Sequence, residues 1–187
     1  NLQFPCLQLS PVIAFNNWNE LAHIHHRARS MNSEGIILKQ KSSVYCAGRN
    51  SNHWFKWKNE PLTIDAVLVY VQKGNAPGSN GYIDFTFAVK DSNSLVTFTK
   101  TAATLSEQEL TEVDDFVKNN TLEKFGPVRT IKAELVFEIG FEGIVVSNRH
   151  KCGFTLRAPR IHRWRTDKKV ADINTIEDLR KMLEYGK

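Results

Sequence analysis

Apolar residues recur along this chain with two different periods, and each change of period marks an element. Over residues 17–29 (NWNELAHIHHRAR), Trp18, Leu21, Ala22, Ile24 and Ala28 fall at helical spacing behind Asn16 and Asn17, either of which can cap a helix start. A short apolar run at 35–38 and an aromatic–lysine alternation at 54–58 (WFKWK) predict two strands joined by a polar turn through 45–53. Residues 62–71 (LTIDAVLVYV) form a β-branched run that ends in a Gly, Asn, Pro and Ser turn over 73–81. Alternation resumes at 82–90, turns at 91–94 and returns at 95–100, which predicts an antiparallel meander. Ser106 with Glu109 three residues on is a capping box, and Leu110, Val113, Phe116 and Val117 continue it as a helix over 106–119. Strands are predicted again at 134–139, 141–146 and 154–156, and a last amphipathic helix at 175–184.

From Pro61 onward the pattern is five or six short strands with one helix inserted among them, which predicts a small Greek-key barrel of the OB type, a fold that commonly binds nucleic acid. The fold class is thus mainly β with some α. At 187 residues, 41% hydrophobic and 24% charged, the chain has room and composition for a folded core, not for a disordered or collagen-like polymer. No stretch approaches the ~20 apolar residues that span a bilayer, and no basic-then-apolar leader opens the chain, so no membrane partner is expected. Cys6, Cys46 and Cys152 are odd in number and far apart, a spacing that suits ordinary thiols in a reducing, intracellular compartment.

Charge adds a second layer. The net +5 resolves into +4 over 1–61, −5 over 62–147 and +6 over 148–187. Between residues 148 and 169, Arg149, Lys151, Arg157, Arg160, Arg163, Arg165, Lys168 and Lys169 face one acid, Asp167. Two basic segments around an acidic one suggest surfaces that meet polyanions, though a solvated basic strand and loop gives the same composition.

Three stretches carry the chemistry: Glu34-Gly35-Ile36-Ile37-Leu38-Lys39, then Trp54-Phe55-Lys56-Trp57-Lys58, then the run from Arg157 to Lys168 (RAPRIHRWRTDK). On a strand, Lys56 and Lys58 share a face, so two ammonium groups can reach one phosphate. The same pattern also arises when lysines face water while Phe55 and Trp57 face a core. Glu34 precedes a glycine that leaves room for a ligand, and its carboxylate is a hard donor suited to Mg²⁺. The arginines have planar forks that pair with phosphate oxygens.

In this order the three stretches resemble motifs IV, V and VI of the covalent nucleotidyltransferases, specifically the ATP-dependent DNA ligases of bacterial and archaeal type. The segments PLTIDAVLVY, TFAV, EKFGPVR and LVFEIGFEGI extend the likeness over most of the chain. The resemblance implies that residues 1–61 are the C-terminal part of an adenylation (nucleotidyltransferase) domain and 62–187 an OB-fold domain. It implies nick sealing in duplex DNA with ATP and Mg²⁺, through lysyl-AMP and DNA-adenylate, by a monomer in the cytoplasm or on the nucleoid. It assigns Lys56 and Lys58 to the AMP α-phosphate, Lys39 to the nucleotide phosphates and Glu34 to the metal. Arg160, Arg163, Arg165 and Lys168, oriented by Asp167, would close over the pocket and organise pyrophosphate. A basic DNA-facing patch is the competing reading of that third stretch.

The family nucleophile is the lysine of a K-x-D-G signature, and no lysine in this sequence is followed by x-Asp-Gly. The chain, which begins at Asn1, is therefore expected to be the later portion of a longer ligase and to form no lysyl-AMP alone. Glu142-Gly143-Ile144-Val145-Val146 mimics the first motif but reaches Ser147 where that motif has lysine, and is predicted to be a structural strand. His23, His25 and His26 contain no i, i+4 pair and are expected on a surface helix, not at a metal. Two other functions stay open: an RNA ligase or capping-type nucleotidyltransferase, and a non-catalytic OB module that binds nucleic acid.

Overall fold

The computed structural model describes residues 11–31, 33–44, 47–48, 53–74, 81–148 and 150–185. Cys6, Cys46 and Arg149, and most of the two turns predicted over 45–53 and 73–81, lie outside the described residues. The chain divides into two compact units, Asn1–Asn59 and Glu60–Lys187.

The first unit contains helix α1 (Trp18–Arg27) and a two-stranded antiparallel ribbon of β1 (Gly35–Lys39) and β2 (Trp54–Lys58). Asn17 caps α1, its Oδ1 accepting the Glu20 N–H at 2.9 Å. Leu21, His25 and Ala28 are its buried stripe, at the i, i+4, i+7 spacing of one helix face. The ribbon's open end is tied by Asn59, whose N–H donates to the Glu34 carbonyl at 3.0 Å and whose side chain donates to the Ser33 carbonyl at 2.7 Å.

The second unit is built on β3 (Leu62–Lys73), which pairs antiparallel with β4 (Tyr82–Asp91) on one side; β4 then pairs with β5 (Ser94–Ala102) through the turn at Ser92, where φ is +53°. This is the expected meander. Helix α2 (Glu107–Asn120) follows, with the capping box between Ser106 and Glu109 formed in both directions. On its other side β3 has two partners in succession. β8 (Val136–Phe141) pairs with its first half and β7 (Val128–Ile131) with residues 70–72. β6 (Thr121–Phe125) extends from β7. β9 (Gly143–Val146) and β10 (Phe154–Arg157) form a separate ribbon, β11 (Arg160–Trp164) returns to the edge of β8, and α3 (Ile176–Tyr185) ends the described chain.

The curled sheet closes an OB-like half-barrel around one core. Phe85, Phe87, Phe137, Phe141, Ile64 and Leu68 from the sheet meet Val113 and Val117 of α2, Leu179 of α3 and Phe154 of the ribbon. β3 is buried on both faces over Ile64–Leu68, because Ile173 and the short 3₁₀ turn Val170–Asp172 cover Val67 and its neighbours Ala88 and Val136.

Two expectations need correction. From β3 onward the described residues hold nine strands rather than five or six: the hairpin β6–β7 and the strand β11 add to the count. The apolar run 141–146 is also not one strand. The chain changes sheets at Glu142, whose N–H donates to the Arg157 carbonyl at 2.9 Å, so that β8 pairs with β3 and β11 while β9 pairs with β10.

Candidate functional site

The β1–β2 register sorts the first unit's charges. Gly35 faces Lys58, Ile37 faces Lys56 and Lys39 faces Trp54, whereas Ile36 pairs with Trp57 and Leu38 with Phe55. Since side chains alternate along a strand and directly opposed residues share a face, Lys39, Lys56 and Lys58 lie on one surface of the ribbon. The Lys39 ammonium sits 4.2 Å from the centroid of the Trp54 ring, a cation–π contact that fixes the third charge at the ribbon's far end.

The opposite surface is supported by α1. His25 is buried, 7% exposed, and stacks on Trp57 with ring centroids 4.4 Å apart and planes 14° apart. Its Nε2 lies 3.1 Å from the Lys58 carbonyl; that oxygen can only accept, so Nε2 carries the proton and donates. His23 and His26 are exposed as expected, but His25 is not. Its spacing from Leu21 and Ala28 was the available signal.

Glu34 stands exposed at the entry to β1. The expected role of its neighbour is corrected. A Cβ on Gly35 would lie 2.1 Å from the Trp57 carbonyl oxygen and 2.9 Å from the Lys58 Cα, and φ there is +135°. The glycine makes room for the adjacent strand, not for a ligand. Among the described residues no cluster of three or more His, Cys, Asp or Glu could hold a metal by protein ligands alone. A single exposed carboxylate at the entry to β1 fits only a Mg²⁺ held jointly with nucleotide phosphates, the way this reluctantly dehydrated ion is usually bound.

In the second unit, Arg160 and Arg163 are exposed on β11, separated by a bulge at His162. The Arg163 Nε donates to the Glu138 carboxylate at 2.5 Å. Burial favours the neutral acid at Glu138, but the hydrogen bond and charge of Arg163, with help from Thr63 and His162, outweigh it and hold the carboxyl below its usual range. The turn into β11 has Ala158 at φ +49°, fastened by the Thr101 hydroxyl, which donates to the Pro159 carbonyl at 2.9 Å.

The end of the third motif is arranged differently. Arg165 grips Asp167 bidentately, Nε to Oδ1 at 2.9 Å and Nη2 to Oδ2 at 2.8 Å, and points Nη1 at Asp65 Oδ1, 3.1 Å away. Lys168 Nζ lies 2.5 Å from Asp65 Oδ2. The Arg165 hydrogen bonds hold the Asp167 carboxyl far below its usual range and, in return, keep the guanidinium charged. Asp65 was not singled out by the sequence reading; the available signal was one acid inside the apolar run of β3. The predicted residues thus fall into two groups, each within its own unit: Glu34, Lys39, Lys56 and Lys58 on the ribbon, and Arg160, Arg163, Arg165, Asp167 and Lys168 beyond β10.

The first unit thus holds a ribbon with three lysines on one face, and the second an OB-like half-barrel with a basic edge strand. Comparison with known proteins makes this specific. A family model described as ATP dependent DNA ligase domain matches residues 5–58, and one described as ATP dependent DNA ligase C terminal region matches residues 78–168. The chain belongs to the ATP-dependent DNA ligase family. A probable DNA ligase of Koribacter versatilis is 34% identical over 158 residues, 84% of this chain and 27% of that protein. A DNA ligase of Methanococcus aeolicus is 31% identical over 170 residues, 90% and 30% of the two chains. The chain therefore spans less than a third of the length of these relatives. Among solved structures, the ligase domain from M. tuberculosis LigD matches with a TM-score of 0.52 at 22% identity, over 82% of this chain and 51% of that one. A structure named Pmar-Lig_Pre. matches at 0.60 and 17%, over 79% and 30%. These two likenesses are of fold.

Proposed function

We propose that this chain is the part of an ATP-dependent DNA ligase that handles the nucleotide phosphates during nick sealing in duplex DNA. The observation that carries the reading is the register that gathers Lys39, Lys56 and Lys58 on one ribbon face. In the reaction a lysine amine attacks the α-phosphorus of ATP and expels pyrophosphate. AMP then passes to the 5′-phosphate of the nick, and the 3′-hydroxyl displaces it. Every step concentrates negative charge on phosphate oxygens, which fixed cations stabilise. Lys56 and Lys58 meet the α-phosphate, Lys39 the neighbouring phosphates, and Glu34 would share a Mg²⁺ with them; when bound, that ion neutralises phosphate charge. Arg160 and Arg163 offer guanidinium forks to pyrophosphate, with Arg165, Asp167 and Lys168 behind them. The whole protein acts as a monomer on nicked DNA in the cytoplasm, in repair or replication. No helix among the described residues is long and apolar enough to cross a membrane.

The test is a sealing assay on nicked duplex DNA with the full-length protein. Lys56→Ala and Lys58→Ala should each lower the rate by about 10²-fold or more, the usual loss when one preorganised charge-stabilising group is removed; undiminished sealing by both variants overturns the reading. This chain alone, incubated with α-labelled ATP and Mg²⁺, should take up no covalent label.

A further inference from the structure

The cations at the end of the third motif do not face outward as a set. Arg165 spends every nitrogen of its guanidinium on carboxylates, Nε and Nη2 on Asp167 and Nη1 on Asp65, and its side chain is only 13% exposed. Lys168 also ends on Asp65. Asp65 is itself 8% exposed and sits on the face of β3 covered by the 170–173 segment. Its backbone is fastened there: its N–H donates to the Asn174 side chain at 2.8 Å and its carbonyl accepts the Asn174 N–H at 3.0 Å. Two acids and two bases make a cluster with no net charge. An incoming phosphate therefore meets cations already neutralised, and a competing anion would have to strip a nearly buried carboxylate of its partners, a costly exchange.

We propose that Asp65 is a positioning residue for the third motif, an internal counter-ion that anchors Arg165 and masks Arg165 and Lys168 from phosphate in this arrangement of the second unit. The inference rests on the phosphate-handling role of that motif, but its tests do not need ligase activity. Neutralising Asp65 should expose cationic charge that the folded protein now hides. The motif's outward cations are then Arg160 and Arg163, and Arg165 acts through the carboxylates it holds.

The experiment uses this chain on immobilised heparin, a generic polyanion, with the binding constant followed against salt. Asp65→Asn should bind more tightly with a log–log salt slope steeper by about one, the increment for one further anionic contact. Glu107→Gln, an exposed carboxylate on α2 with the same change in net charge, should leave the slope as it was, and Asp65→Asn with Lys168→Met should bring it back. A second measurement is a urea double-mutant cycle: Asp65→Asn and Arg165→Met each lower the midpoint, and the double variant loses less than the two single losses together because the Asp65–Arg165 pair is broken only once. An Asp65→Asn slope equal to or shallower than wild type, or equal to that of Glu107→Gln, overturns the masking. Additive losses in the cycle overturn the anchoring. Undiminished sealing by Arg160→Ala and Arg163→Ala variants of the full-length protein, with both results here as expected, would instead count against the ligase role of the motif.

Discussion

Replacing Gly35 with alanine should break the lysine-bearing ribbon, and the geometry sets the scale of the damage. The new Cβ would stand 2.1 Å from the Trp57 carbonyl oxygen, where real Cβ contacts stay beyond 3.0 Å, so the strands must part by about 0.9 Å. Both atoms it meets first, that oxygen and the Lys58 Cα, are backbone, so no side-chain rotation relieves the contact. The φ of +135° adds the strain that any L side chain suffers there, about 1–3 kcal/mol. Gly153 isolates that second term: φ is +82° but nothing lies within 4 Å of its Cβ position. Gly153→Ala should thus cost about 1–2 kcal/mol, and Gly35→Ala at least about 3 kcal/mol of local stability in the ribbon. Amide hydrogen exchange resolved by segment is the assay. Three kcal/mol corresponds to roughly a hundredfold faster exchange across β1 and β2, with the second unit unaffected. Ribbon protection that survives Gly35→Ala, or falls no further than protection near Gly153 does in its own variant, would refute the claim that this glycine exists to admit the neighbouring strand.

Other consequences are as direct. Phe137 is fully buried and its ring lies 5.5 Å from Phe87 and 5.4 Å from Trp164, so Phe137→Ala should lower the second unit's unfolding free energy by about 3–5 kcal/mol, read from its urea midpoint; a loss below 1 kcal/mol would show that the core is elsewhere. Ser106→Ala removes one half of the α2 capping box and should cost about 1 kcal/mol by the same assay. His25→Leu keeps the packing volume but loses the donor to the Lys58 carbonyl, and should speed exchange in β2 more than in β1; equal effects on both strands would deny the histidine a specific hold. The carboxyls of Asp178, lowered chiefly by the Thr175 N–H, of Asp167, lowered chiefly by Arg165, and of Glu138, lowered by Arg163 against the opposing effect of burial, all titrate below their unfolded values in the folded chain. Their stabilisation is therefore complete above the unfolded pKa of about 4 and disappears as pH falls through the folded values. Urea midpoints should be flat from pH 7 to 5 and decline toward pH 3; a midpoint that rises on acidification would contradict this sign.

What could be read from the sequence follows from what burial does to a pattern. α2 was legible to within a residue at each end because a cap, a reciprocal glutamate and a periodic stripe agree, and β3, β4 and β5 because their buried positions are unbroken or alternate. The hairpin β6–β7 left no such trace. Leu122 and Phe125 are 65% and 60% exposed, and the strands are held by the backbone ladder to β3 rather than by a buried face. β11 was hidden for a related reason: it is an edge strand whose outward residues are Arg160, His162 and Arg163, and the bulge at His162 breaks the alternation that would have betrayed it.

The site divides along the same line. Lys56 and Lys58 could be placed together from sequence because strand periodicity is local; Lys39 was joined to them only by the family resemblance, and it is the β1–β2 register that puts it on their face. The third motif could not, because the fate of its charges is decided by a carboxylate 100 residues away on the central strand. A sequence shows eight basic residues facing one acid between residues 148 and 169 and invites the reading of an open cationic surface. The fold brings Asp65 to the end of that stretch and Glu138 to its middle, and so divides one apparent patch into an exposed half at Arg160 and Arg163, the latter paired with Glu138, and a neutralised half at Arg165 and Lys168. Counting charges along a chain measures what it could offer to phosphate; which of them it does offer depends on the acids that tertiary structure places among them.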